Sequence, residues 1–194
     1  TNRDKLISFE DLTADCFQFL RLYFYGLDPV IPLHLVSDIL YAANKLKINP
    51  LAEAVKQYIT SLEDIDDLVL VLSLLHQHAF HELINSLISM NNLFEDSGRV
   101  FHSENINLLS PALMIRFLES ATFQTDCILT EEAIFEKCVC WAKYNAKIYE
   151  INKQHSNIGI EDMGKIPRVQ LSTEWKRIIK PLLPYIRFPT MKGE

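Results

Sequence analysis

Glycine is scarce in this chain, with five residues in 194. That leaves no glycine-rich loop of the kind that brings backbone amides against a phosphate. Long apolar runs are missing too. The densest, Leu68–Leu75, has eight residues, well short of the ~18 that a membrane span needs. Cysteine is limited to positions 16, 127, 138 and 140, and no C-x-x-C occurs. Cys138 and Cys140 lie two apart in a helical pattern and so point to different faces. Free, mainly buried thiols in a reducing compartment are expected, with no zinc site. No serine or cysteine sits in a nucleophile-elbow context, and no hydrolase, kinase or dehydrogenase fingerprint appears. The expectation is no catalytic residue, no cofactor and no enzyme activity. An initiator methionine and a signal-peptide pattern are both absent, so the chain reads as a fragment or as one whose N-terminus lies before Thr1.

Hydrophobic residues, by contrast, make up 48% of the chain. That is enough to fill the cores of one or two small domains. The net charge of −6 is unevenly spread. Residues 1–135 carry 8 basic and 19 acidic side chains, a balance of −11, while residues 136–194 carry 11 and 6, a balance of +5. The basic residues are scattered among apolar ones rather than packed into a stripe, so neither a nucleic-acid nor a membrane partner is expected.

The apolar spacing is helical almost throughout, which predicts an all-α fold. Ile7 and Phe9 alternate like the end of a strand, a remnant at Leu6–Phe9. Thr13 is placed to cap a helix, with Asp15 near its positive end. Cys16, Phe17, Phe19, Leu20, Tyr23 and Phe24 wrap more than half of that helix, and Gly26 ends it. A second helix is expected over 33–46. Asn49-Pro50 restarts the chain, with Asn as cap and Pro in the first turn, and the two helices should pack as a hairpin. Ser61 with Asp64 suggests a capping box for the next helix. Taken alone, Leu68–Leu75 also fits a buried strand; its cap and the segment's length favour helix. Phe80, Leu83, Ile84, Leu87 and Ile88 come next at helical spacing. Ser110-Pro111 and Thr130 start two later helices, the second with Ile134, Phe135, Cys138, Trp141 and Ala142 as its stripe. Past Tyr144 the pattern dissolves, and residues 146–171 read as a long loop. A last helix begins near Ser172–Thr173 and is broken by Pro181 and Pro184.

Two constellations invite chemistry. In His76-x-His78-x-x-His81, helical geometry puts His78 and His81 on one face and His76 on another, so no metal site is expected. Glu63, Asp64, Asp66 and Asp67 are expected to be solvated acids at a helix start rather than a tuned acid–base pair.

The ordered elements Ile7-x-Phe9-x-Asp11, Phe17, Tyr23-Phe24-Tyr25-Gly26, Asp38 to Ala43 and Leu51 resemble the C-terminal half of a BTB/POZ domain. The remainder of the chain resembles the BACK domain attached to BTB in kelch-type adaptors. It is carried by the segment Asn105–Ser120, by Glu132, Phe135 and Trp141 in TEEAIFEKCVCW, and by the terminal Leu182–Met191. The resemblance implies a BTB half over 1–61, then three-box helices and an elongated BACK bundle over 62–194. The chain departs from the family pattern in lacking the first half of BTB and in the length of 146–171. The resemblance implies a substrate-receptor adaptor of a cullin–RING E3 ubiquitin ligase, cytoplasmic or nuclear, with protein partners. Those partners would include a cullin N-terminal domain and, through the other BTB half, a second copy. Tyr41, Asn44, Lys45, Lys47, Ile48 and Asn49 would then form the cullin-facing ledge. Phe17, Tyr23, Phe117, Phe135 and Trp141 are expected to be core. The alternative is an oligomerisation scaffold or chromatin-associated protein with no ligase role.

Overall fold

The computed structural model describes residues 12–120, 130–157 and 174–186. The strand remnant expected at Leu6–Phe9, Cys127 and the end of the Leu182–Met191 segment lie outside the described residues. The fold is all-α, and no strand occurs among the described residues. The helices are α1 (Ala14–Phe24), α2 (Val36–Lys45), α3 (Asn49–Thr60), α4 (Ile65–Gln77), α5 (His81–Met90), α6 (Ser97–His102), α7 (Pro111–Ser120), α8 (Glu131–Asn157) and α9 (Glu174–Ile179). Short 3₁₀ turns occupy Leu33–Leu35, Glu104–Leu108 and Lys180–Tyr185. No helix among the described residues is long and apolar enough to cross a membrane.

The chain forms two compact units, Thr1–Leu87 and Ile88–Glu194. In the first, α2 is the central element, packed against α1, α3 and α4. Its Val36, Ile39, Leu40, Ala42 and Ala43 are buried. The two alanines leave room for a neighbouring backbone to approach, and Leu51, Val55 and Ile59 of α3 complete the hairpin core. In the second unit, α8 carries Ile134, Cys138, Trp141 and Ala142 into the core, where Phe101, Met114 and Phe117 are also buried. Trp141 Nε1–H donates to the Leu109 carbonyl at 2.8 Å, so the one polar atom of the ring is satisfied. One turn later Asn145 donates to the Asn107 carbonyl at 3.2 Å. Together they tie α8 to the loop between α6 and α7.

Several helix starts match their local chemistry. Thr13 Oγ1 accepts from Cys16 N–H, Ser110 Oγ from Leu113 N–H and Thr130 Oγ1 from Ala133 N–H. Elsewhere the structure departs from expectation. Ser61 does not open α4; it closes α3 and donates to the Tyr58 carbonyl. Asp64 is the cap of α4, accepting from the amides of Asp66 and Asp67. Asn49 makes no capping bond, because α3 already begins there, with Ile48 at the cap position. The largest difference lies at residues 146–157, which extend α8 rather than form a loop. Nothing before Gly159 breaks a helix, and Ala146 is buried; residues 158–171 lie outside the described set.

Helix ends show one recurring device. After α1, α2, α4 and α5 the chain turns through a left-handed residue: Gly26, Lys47, Ala79 and Asn92 respectively. In each turn the next amide reaches back five residues, from Leu27 to Leu22, Ile48 to Ala43, Phe80 to Leu75 and Leu93 to Ile88. This is the Schellman arrangement, with an apolar residue placed after the turn each time. Three of the four positions lack glycine, so the chain carries strain on the order of 1 kcal/mol at each β-carbon-bearing site.

Candidate functional site

A polar cluster of the first unit is built around Asp38, in the first turn of α2. Its Oδ2 accepts from Thr13 Oγ1 at 3.1 Å. Its Oδ1 lies 2.9 Å from Nε2 of His78, the residue that caps the C-terminus of α4. Thr13 uses the same hydroxyl oxygen to cap α1. One carboxylate therefore joins the start of α1, the start of α2 and the end of α4. The His78 ring stacks on Tyr41, centroids 4.8 Å apart and planes 21° from parallel. Lys45, one turn further along α2, sets its ammonium 5.6 Å from the Tyr41 ring centroid. The result is a stack of ammonium, phenol and imidazole pinned by a carboxylate. Each pair is part-exposed and contributes about 1 kcal/mol or less. Its value lies in fixing the rotamers of Tyr41 and Lys45.

Asn44 stands on the same face of α2, since positions three and four apart are neighbours on a helix. With Leu40 it borders a shallow, open depression of about 610 Å³ that is closed by Lys56 of α3 and by the turn Ala79–Leu83. Lys47 is exposed on the left-handed turn, and Asn49 is exposed at the first residue of α3. Ile48 differs from the other ledge residues: it is half-buried, and its N–H makes the 2.8 Å bond that closes the turn. It is part of the hinge that shapes the ledge and less a free anchor.

The histidine cluster is arranged differently from the helical expectation. α4 ends at Gln77, so His78 is outside the helix and turns to Asp38. His76 and His81 come together instead, ring centroids 6.0 Å apart. The Nδ1 of His76 is buried with no hydrogen-bond partner. Among the described residues no group of three His, Cys, Asp or Glu side chains is placed to hold a metal ion.

Of the residues expected in the core, Phe117 and Trp141 are fully buried. Tyr23 and Phe135 are half-buried. Phe17 is 50% exposed. On α1 the buried set is Cys16, Phe19 and Leu20, while Phe17 and Phe24 form a second stripe about 100° round the helix. That stripe continues into exposed Tyr25, Leu27 and Val30. Burial pushes the Cys16 thiol up to about 11, aided by the nearby Asp38 charge. Burial alone pushes Cys138 up to about 12. Both are inert packing thiols, whereas Cys140, on the outer face of α8, is exposed.

No protein-family model and no curated protein sequence matches this chain. The functional reading therefore rests on the residues themselves.

Proposed function

We propose that this chain is a non-catalytic interaction adaptor of the BTB–BACK kind, serving as part of a substrate receptor in a cullin–RING ubiquitin ligase. The observation that carries the reading is the ledge on the α2–α3 hairpin. Tyr41, Asn44 and Lys45 share one face of α2, with Lys47 and Asn49 exposed on the adjoining turn. The order of elements supports it: a helix closed by Tyr23-Phe24-Tyr25-Gly26, then the hairpin, then, later in the chain, the helix α8 that carries Glu132, Phe135 and Trp141. In this reading the ledge is held rigid before binding, so little side-chain entropy is lost when a partner docks. The partner is a cullin N-terminal domain, and the setting is cytoplasmic or nuclear.

The test is binding of the intact protein to a cullin N-terminal domain, wild type against the Asn44→Arg, Lys45→Glu pair. Both side chains are exposed, so folding is expected to survive. Loss of binding with an unchanged melting temperature supports the ledge. Absence of binding by the intact, folded wild type rejects the ligase assignment. A second reading, an oligomerisation scaffold without ligase role, is favoured by the apolar stripe of Phe17, Phe24 and Tyr25 on α1. Sedimentation that shows a stable oligomer with no cullin affinity would select it.

A further inference from the structure

From residue 136 onward the chain carries 11 basic and 6 acidic side chains. Part of that excess gathers where α9 packs on α8. Trp175 of α9 is half-buried, and two ammonium groups lie over its ring. Lys143 of α8 is 5.7 Å from the ring centroid and Lys176 is 5.8 Å away. The guanidinium of Arg177 sits 5.7 Å from the Tyr149 ring centroid and is engaged by Glu174. Among the described residues neither Lys143 nor Lys176 forms an ion pair. An aromatic face attracts and positions an ammonium group but does not neutralise it. Two exposed charges are thus gathered at one ring with no ion-pair partner among the described residues, in a chain whose net charge is −6.

We propose that this patch is a docking site for an acidic protein segment, with Lys143 and Lys176 receiving two of its carboxylates. Charge complementarity selects the occupant. Single-stranded nucleic acid binds by stacking bases on open aromatic faces, and here the Trp175 ring is engaged by lysines. The one guanidinium of the patch, the best phosphate fork, is already held by Glu174. Anionic membrane surfaces are recognised by broad clusters of about four to eight basic residues, whereas the two lysines here are focused on a single ring and the adjacent guanidinium is neutralised by Glu174. A peptide carboxylate pair matches two ammonium groups in number and charge. The exposed Tyr149 of α8, beside Arg177 of α9, offers apolar contact to the same segment. The site uses no residue of the α2–α3 ledge and does not depend on the ligase reading.

The test titrates the full chain into a fluorescein-labelled synthetic peptide of alternating Glu, Asp and Leu, at low and at near-physiological salt. The expected result is saturable binding that weakens several-fold with salt. The Lys143→Glu, Lys176→Glu pair should lower affinity by about tenfold or more, as two partly exposed charge pairs are lost and made repulsive. The Lys143→Arg, Lys176→Arg pair should restore it. If the reversal lowers the melting temperature, the Lys143→Gln, Lys176→Gln pair is read instead and should weaken binding several-fold. Undiminished binding by the charge variants would overturn the proposal, as would no binding at low salt. Tighter binding of a single-stranded DNA oligonucleotide, or of phosphatidylserine vesicles, would assign the patch to that partner and equally overturn it.

Discussion

Trp141 fixes the second unit from two directions, and its replacement separates them. The ring is fully buried among α8 and its neighbours. Its N–H donates to the Leu109 carbonyl at 2.8 Å. Truncation to alanine empties the largest buried side chain, at about 3–5 kcal/mol. It also leaves the Leu109 carbonyl without its donor, at about 1–3 kcal/mol more unless water enters. The total is comparable to the whole stability of a domain, about 5–15 kcal/mol. Trp141→Phe keeps most of the apolar contact and loses the hydrogen bond, so it should cost only about 1–3 kcal/mol. Far-UV circular dichroism followed through urea and heat provides the readout, with Trp175 fluorescence as a second probe. The two compact units call for a check that both probes report one transition. Trp141→Ala is expected to lower the melting temperature of the second unit by more than ~15 °C, and Trp141→Phe by about 5–10 °C. An alanine variant melting within about 3 °C of wild type would show that the tryptophan is not the keystone described here. Equal losses for both variants would make the hydrogen bond dominant over ring volume.

Relief of the left-handed turn at Ala79 gives an opposite sign. Ala79→Gly removes the β-carbon penalty at φ +57° and should raise stability by about 0.5–1 kcal/mol in equilibrium urea unfolding; a loss would show that the turn is not strained. Gly26→Ala should cost about 1 kcal/mol, and since an added β-carbon meets no atom within 4 Å, the cost is conformational alone. Asp38→Ala should lower stability by about 1–2 kcal/mol and loosen Tyr41, seen as broadened aromatic resonances; unchanged spectra would remove the argument for a pinned ledge. Buried thiols predict alkaline sensitivity. With Cys16 held up at about 11 and Cys138 at about 12, the unfolded chain releases protons first as pH passes ~9, so stability falls as pH rises above that value, by on the order of 1.4 kcal/mol per pH unit for each thiol. The slope should flatten in Cys138→Ala, measured against wild type between pH 8 and pH 10; identical slopes would show that the thiol is not linked to folding.

What could be read from the chain was local. Thr13, Ser110-Pro111 and Thr130 announced their helices because a cap acts over three residues, and the bonds to Cys16, Leu113 and Ala133 realise that geometry. The α2–α3 hairpin was legible because Asn49-Pro50 punctuates two clear apolar stripes. The turns at Lys47, Ala79 and Asn92 were not, because tertiary packing holds them left-handed without the glycine that would mark them. The far end of α8 was missed for a related reason: a helix that leaves the core loses its apolar stripe while keeping good helix formers. The organising pair of the candidate site, Asp38 and His78, stands 40 residues apart, and no local spacing joins them. On α1 the apolar side chains wrap more than half of the helix, yet the fully buried ones are Cys16, Phe19 and Leu20, while Phe17 and Phe24 are exposed. The resemblance pointed to Tyr41 and its neighbours, and the fold adds the carboxylate and imidazole that hold Tyr41 in place.

The most direct trial of the adaptor claim is amide hydrogen exchange on the intact protein, alone and with a saturating cullin N-terminal domain. The account predicts slowed exchange concentrated in the segment from Tyr41 to Asn49, and loss of that footprint in the Asn44→Arg, Lys45→Glu variant. A saturated complex whose protection falls wholly outside that segment would contradict it, as would no complex at all.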